Sequence, residues 1–170
     1  ALAFWMVRGT QRGTTTLLAL PLFVGLASQA GCAPPERTPP YEELAPMFAA
    51  EDARGPEPPA VLLEATRVPS PTMRPAAYRG LGRHERGDWI EIIGEGMRDP
   101  DPEVRVVAIN AVAQAAHGNE PGFSAKHDAL DRFTAALGGE RHPRVRAAIA
   151  LAAGRLGSDS VLADAAERII

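Results

Sequence analysis

A five-residue phrase that ends in arginine occurs three times in this chain, and it constrains the fold more than any other feature. It reads Ser-Pro-Thr-Met-Arg at 70–74, Asp-Pro-Glu-Val-Arg at 101–105 and His-Pro-Arg-Val-Arg at 142–146. An alanine-rich run follows each copy. Proline is tolerated at the first position of a helix, because that position needs no amide donor. Each phrase therefore predicts the start of a helix.

The residue before each proline predicts how well that helix is capped. Ser70 and Asp101 are good N-caps, because their side-chain oxygens accept amide hydrogens of the first turn. His142 is a poorer N-cap, so we expect the third of these helices to be the least well started.

The helices that follow the phrases share one apolar face. Three, seven and eight residues after each arginine the side chain is apolar or small, which is the spacing of a buried helical stripe. The residues at these positions are Ala77, Leu81 and Gly82; Ala108, Val112 and Ala113; and Ile149, Ala153 and Gly154.

Further helical runs precede the phrases at 61–67, 88–98 and 126–137, and a fourth run occupies 158–170. Trp89, in the second of them, is predicted to be a core residue. The arginines of the phrases are 31 and 41 residues apart. This unit of helix, proline-led turn and helix predicts an all-α fold, an α-solenoid of about three helical hairpins plus a terminal half.

The composition excludes several classes of protein. The net charge of -3 provides no strong basic field, so we expect no nucleic-acid partner. The single cysteine, Cys32, excludes an internal disulfide framework and any metal site built from several cysteines.

The first 31 residues have the pattern of a bacterial export signal. Two arginines precede an apolar run at 17–27 that is too short to span a bilayer. Two small residues stand directly before Cys32, and this end of the leader resembles the lipobox of bacterial lipoproteins. The resemblance implies a lipid on Cys32 and a protein anchored to a membrane; Ala33 favours the periplasmic side of the outer membrane. A plain secretory signal and an uncleaved anchor are the alternatives.

A proline-rich segment at 32–40 predicts an extended, solvated tether. Apolar residues at helical spacing then predict a capping helix within 41–56, followed by a linker of glycine and proline. The folded body is expected to follow from residue 57 onward.

The run at 101–108, Asp-Pro-Glu-Val-Arg-Val-Val-Ala, resembles HEAT repeats of the short bacterial type, and Gly-Arg-Leu-Gly at 154–157 resembles the close of such a repeat. The resemblance covers 57–170 and divides it into units at about 57–86, 87–117, 118–157 and a partial unit at 158–170. It implies that an aspartate and an arginine of the phrase form a ladder between neighbouring units. The residues assigned to this ladder by the resemblance are Arg74, Asp101, Arg105 and Arg146.

No arrangement of residues in the sequence predicts catalysis. The histidines at 84, 117, 127 and 142 form no HExxH motif and no other pairing that suits zinc. Glu91 and Glu95 can share a helix face, but a solvated face explains them. We expect no catalytic residue, no cofactor, no metal and no small-molecule substrate, and therefore no enzymatic activity in this chain.

A binding surface is the sharper functional hypothesis. Five and nine residues after the aligned arginines, one turn apart, the sequence predicts a polar to basic strip across three helices. Its residues are Arg79, Arg83, Asn110, Gln114, Leu151 and Arg155. A polar or acidic protein partner would bind there; an ordinary solvated face is the alternative.

These observations predict a membrane-tethered HEAT-repeat module of the bacterial cell envelope that binds and scaffolds proteins. We expect the sequence to be a fragment, or its end to be covered by a partner. One alternative is the non-catalytic arm of a larger lipoprotein that ends in a cyclophilin-like peptidyl-prolyl isomerase. Another is a HEAT-like lyase of the phycobilin type, for which catalytic residues are not identified.

Overall fold

Proline and glycine decide where the helices of this protein begin and end. The computed structural model describes residue 39 and residues 41–53, 55–118 and 123–157, all within one compact unit of the chain. This part contains seven α-helices and no β-strand, which confirms the all-α prediction for it. The helices are α1 (Tyr41–Asp52), α2 (Ala60–Ala65), α3 (Arg74–Arg83), α4 (Ile90–Gly94), α5 (Pro102–His117), α6 (Phe123–Gly139) and α7 (Pro143–Leu156).

Several predicted segments fall outside this part of the chain. The leader at 1–31, the tether except Pro39 and the predicted helix at 158–170 lie outside the described residues. Among the described helices, none combines the length and the apolar composition needed to cross a membrane.

Two of the three phrases start their helices as predicted. Pro102 and Pro143 are the first residues of α5 and α7. The carboxylate of Asp101 accepts the amide of Glu103 at 2.7 Å, so this N-cap prediction is confirmed. His142 makes no capping bond through its side chain.

The helix predicted to start at Pro71 starts later. Residues 71–73 form a turn, and α3 begins at Arg74, so the prediction of Ser70 as its N-cap is wrong. The reason is Pro75, which lacks an amide hydrogen and whose ring clashes with the preceding turn in a helix interior. A helix that began at Pro71 would place Pro75 beyond the first turn. The later start keeps Pro75 within it.

The run predicted at 88–98 is not a single regular helix. The 3₁₀ turns Gly87–Trp89 and Glu95–Arg98 flank the short helix α4. A Cβ atom on Gly96 would lie 2.6 Å from the ring of Tyr78 and 2.7 Å from Ala108. This segment therefore passes too close to α3 and α5 to carry a side chain at that point.

The helices pack in two layers. In the first layer α1 packs against α3, α3 against α5, and α5 against α7. In the second layer α2 packs against α1 and α3, α4 against α5 and α6, and α6 against α5 and α7. Helix α5 therefore occupies the centre, and the core lies between the layers.

The core contains the predicted apolar positions. Ala77, Leu81, Ala108, Val112, Ala113, Ile149 and Ala153 are all buried, as is Trp89 at 3% exposure. Gly154 is exposed, although the equivalent residues Gly82 and Ala113 are buried. The difference arises because α3 and α5 each have a following helix of their layer beside them, whereas no described helix follows α7 in that layer.

Small side chains allow α3 and α5 to approach closely. A Cβ atom on Gly82 would lie 2.8 Å from both the Cα and the Cβ of Ala111. Because Ala111 Cα is a backbone atom, the contact cannot be relieved by rotating a side chain. Gly82 is thus required by the packing of the two helices.

We expect Gly82→Ala to destabilise the protein by about 1–3 kcal/mol, because the added methyl group must push α3 away from α5. The matched control is Gly138→Ala in α6, where a Cβ atom would meet nothing within 4 Å. This control should be neutral or stabilising by up to about 1 kcal/mol, because alanine favours the helix. Urea unfolding followed by circular dichroism measures both. Equal stability of the two variants would contradict the close contact.

Candidate functional site

Arg74, the arginine of the first phrase, connects α3 to the loop before α5. Its Nε and Nη2 donate to the carboxylate of Asp99 at 2.7 and 2.9 Å, and its Nη1 donates to the carbonyl oxygens of Val68 and Pro69. Asp99 also accepts the backbone amide of Asp101 at 2.9 Å. One carboxylate therefore joins a helix start to the loop that begins the next unit.

Arg105, the arginine of the second phrase, repeats this geometry. Its Nε and Nη2 donate to Glu140 at 2.8 and 3.3 Å, and its Nη1 donates to the carbonyl oxygens of Asp99 and Pro100. Glu140 in turn accepts the backbone amide of His142 at 2.7 Å. The pair is mostly buried, with 17% and 11% of the two side chains exposed.

Arg146, the arginine of the third phrase, makes only part of this arrangement. Its Nη1 donates to the carbonyl oxygens of Leu137 and Glu140 at 3.3 and 3.2 Å. Its Nε and Nη2 have no acceptor among the described residues, and the residue is exposed. The position at which Arg74 and Arg105 hold a carboxylate is therefore open at Arg146.

The partners of the three arginines differ from the predicted ladder. Asp101 caps α5, and the carboxylates that pair with arginine are Asp99 and Glu140. At the N-cap position the Asp101 carboxylate accepts the amide of Glu103, and Asp99 takes the direct contact with Arg74. Sequence reasoning missed both acids, although a signal exists, since each stands six residues before the arginine of its own unit.

The environment of Asp99 and Glu140 lowers both of their pKa values. Burial acts to raise the pKa of Asp99, but the hydrogen bonds from Arg74 and the Asp101 amide outweigh it. Burial likewise acts against ionisation of Glu140, and the His142 amide and Arg105 outweigh it, so this pKa also lies below its usual value. Both groups are therefore carboxylates at neutral pH.

The basic end of the predicted strip is already paired within the protein. Glu51 of α1, with only 8% of its side chain exposed, accepts from Arg79 at 2.9 Å and lies 3.5 Å from Arg83. Arg79 also lies over the ring of Phe48, 5.6 Å from its centroid. Both arginines remain about half exposed, at 50% and 54% of their side chains. This corner carries two positive charges and one negative charge.

The other end of the strip is a polar groove between α5 and α7. Arg155 Nη2 donates to Asn110 Oδ1 at 2.7 Å, and the Arg155 carbonyl oxygen lies 3.2 Å from His117 Nε2. These residues, with Ala113 and Gln114, line a cavity of about 300 Å³. Gln114 is exposed, and Leu151, four residues before Arg155 on α7, is 69% exposed.

The structure therefore divides the predicted strip into two parts. Asn110, Gln114 and Arg155 meet at one groove, whereas Arg79 and Arg83 gather around Glu51 of α1. The part played by Glu51 could not be inferred from the spacing of the phrases, because α1 lies outside their pattern.

A second cleft of about 530 Å³ lies between α4 and α6. Met97, Ile109 and Val145 form part of its lining, with Arg98 and Asp131 as charged residues. The side chains of Arg98 and Asp131 make no hydrogen bond or ion pair to another described residue. The sequence carried no signal for this cleft, since its lining comes from several helices that only the tertiary structure brings together.

Histidines and the other residue types that bind metals do not come together in groups of three in the described part of the chain. His84 is buried, with Nε2 3.1 Å from the carbonyl oxygen of Ala50 and its ring 5.0 Å from that of Trp89. It thus joins α1 to the core. Within residues 41–53, 55–118 and 123–157, no group of three or more His, Cys, Asp or Glu residues is placed to hold a metal ion. Cys32, the predicted lipidation site, lies outside the described residues.

Comparisons with models of protein families, with curated proteins and with solved structures found no match for this chain.

The depressed pKa values of Asp99 and Glu140 predict an acid-sensitive fold. An acid whose folded pKa is lowered stabilises the protein above its unfolded pKa of about 4, and this stability is lost as the pH falls through the folded pKa. We expect Asp99→Asn and Glu140→Gln to lower stability at pH 7 and to flatten its fall below about pH 4. Unfolding free energies measured from pH 7 to pH 2 provide the check. Asp131→Asn, an exposed acid on α6, is the control and should follow the wild type.

Proposed function

We propose that this protein is a non-enzymatic protein-binding module, a short α-solenoid of the HEAT-repeat type that is tethered to the membrane of a bacterial cell envelope. The solenoid interpretation is supported by two regularities. Helices α3, α5 and α7 follow one another in a single layer. The contacts of Arg74 to Asp99 and of Arg105 to Glu140 have the same register, each reaching an acid six residues before the next arginine.

The observation that carries the binding function is the groove between α5 and α7. It combines amide, imidazole and guanidinium groups from Asn110, Gln114, His117 and Arg155. Leu151, four residues before Arg155 on α7, adds an exposed apolar side chain. Such a mixture of hydrogen-bonding groups and an apolar contact is typical of surfaces that bind protein segments.

The charges of the surface indicate the kind of partner. Arg155 forms no ion pair with a described acid, because its described partner is the neutral Asn110. On α3, Arg79 and Arg83 lie beside the carboxylate of Glu51 and remain about half exposed, at 50% and 54% of their side chains. A polar or acidic protein segment that lies across α5 and α7 toward α3 would complement these charges.

The membrane tether is proposed from the leader and Cys32. A lipidated Cys32 followed by the proline-rich segment would hold the helical body off the membrane surface, on the periplasmic side of the outer membrane.

We expect the double variant Gln114→Glu and Leu151→Glu to reduce partner capture roughly tenfold, because it places two carboxylates where an acidic segment would bind. Both residues are exposed, so the fold should be unchanged. The assay is photo-crosslinking in cells from a photoreactive residue at position 110. The matched control, Ser124→Glu with Thr134→Glu on α6, adds the same charge at exposed positions. Capture equal in both double variants would contradict the proposed surface.

The lipid anchor is tested by growing cells with a radioactive fatty acid. The wild-type protein should carry the label, and Cys32→Ser should not, because the lipid needs the cysteine thiol. Equal labelling of both proteins, or none on the wild type, would overturn the proposed anchor while leaving the binding surface unaffected.

A further inference from the structure

The first and last described helices of the first layer carry opposite charges. Helix α1 contains four acids and no basic residue: Glu42, Glu43, Glu51 and Asp52. Helix α7 contains three arginines and no acid: Arg144, Arg146 and Arg155. Because α1 packs on α3 and α7 packs on α5, the two helices stand at opposite ends of the layer.

The exposed faces of these two helices include several small side chains, and each carries one large apolar residue, Tyr41 on α1 and Leu151 on α7. On α1 the exposed stripe is Glu42, Pro46, Ala49 and Asp52. On α7 the exposed or half-buried stripe is Ala147, Ala150, Leu151 and Gly154. Ala49 on α1 and Ala147 and Gly154 on α7 leave room for the side chains of a helix that packs against them.

Neighbouring helices of the first layer contact each other in parallel. Glu103 in the first turn of α5 pairs with Arg144 in the first turn of α7. Further along, Asn110 contacts Arg155. At the other end of the layer, Glu51 in the last turn of α1 pairs with Arg79 and Arg83 in the second half of α3. A helix added beside α7 in the same manner would place its first turn beside Arg144 and Arg146.

Helix α1 has acids at the positions that this arrangement requires. Its first turn carries Glu42 and Glu43, and its last turn carries Asp52. Laid parallel to α7, these acids would lie near Arg146 and Arg155, respectively. Arg146 offers Nε and Nη2, which have no acceptor among the described residues, whereas the equivalent nitrogens of Arg74 and Arg105 bind carboxylates.

We propose that the exposed face of α7 binds α1 of a second copy of this chain, so that the protein associates head to tail. The contact joins two different faces, and each added copy presents a new α7. The association therefore continues beyond a dimer as the concentration rises. Since it depends on exposed opposite charges, it weakens as salt is added.

Sedimentation velocity of the full 170-residue chain over a range of concentrations tests this proposal. We expect the wild type to form dimers and larger species at low salt, and Glu42→Lys with Glu43→Lys to associate roughly tenfold more weakly. The matched control is Glu91→Lys with Glu95→Lys, which reverses two exposed acids in the middle of the molecule. The control should associate like the wild type.

A charge swap provides the specific readout. Arg144→Glu with Arg146→Glu should also weaken association roughly tenfold. Mixing this variant with Glu42→Lys, Glu43→Lys should restore association, because the reversed faces match again. If the arginine variant does not fold, Gly154→Leu replaces it; the exposed leucine should block the close approach at α7 without altering the core. A wild type that stays monomeric, or association that is unaffected by the α1 reversal, overturns the proposal. If the chains associate through the apolar leader instead, the reversal of the α1 charges should leave association unchanged, which is the second of these outcomes.

Discussion

Two contacts between a guanidinium and a carboxylate hold the described helices in order: Arg74 to Asp99 and Arg105 to Glu140. Each carboxylate also accepts the amide two residues further along the chain, so it fixes the loop before the next helix. The arginine on the other side is held by two carbonyl oxygens. Since all of these groups are mostly buried, loss of one partner leaves an uncompensated charge, and the local geometry has few alternatives.

The close packing of the first layer complements these contacts. Gly82 lets α3 approach the backbone of α5 at Ala111, and Gly96 lets the segment after α4 pass Tyr78 and Ala108. Helices packed this closely leave little room for bulky side chains between them, which agrees with a composition of only 5% aromatic residues. Polar side chains at every fourth position, such as Asn110 and Gln114, consequently remain on the outer face of the layer. The groove between α5 and α7 is therefore a direct result of how the layer is packed.

The distribution of charge separates the surfaces of the molecule. Helix α1 packs against α3 and places Glu51 against Arg79 and Arg83. Among the described residues, Arg144 of α7 pairs with Glu103, whereas Arg146 remains without a carboxylate. The proposed partner surface is the groove between α5 and α7, and the proposed self-association uses the exposed face of α7. Leu151 and Arg155 belong to both surfaces, so on α7 the two surfaces overlap.

The sequence by itself determined the helical class, the starts of α5 and α7 and most of the core, because proline positions, N-caps and apolar spacing act within one or two turns of a helix. It failed at α3, where Pro75 competed with Pro71 for the first turn. Only the tertiary structure decided that Asp99 and Glu140, and not Asp101, pair with the arginines, and that Glu51 occupies the basic end of the strip. Those pairs join residues 25, 35 and 28 positions apart. Which residues pair depends on how the helices pack in space. The local pattern of the sequence does not show which distant residues are brought together.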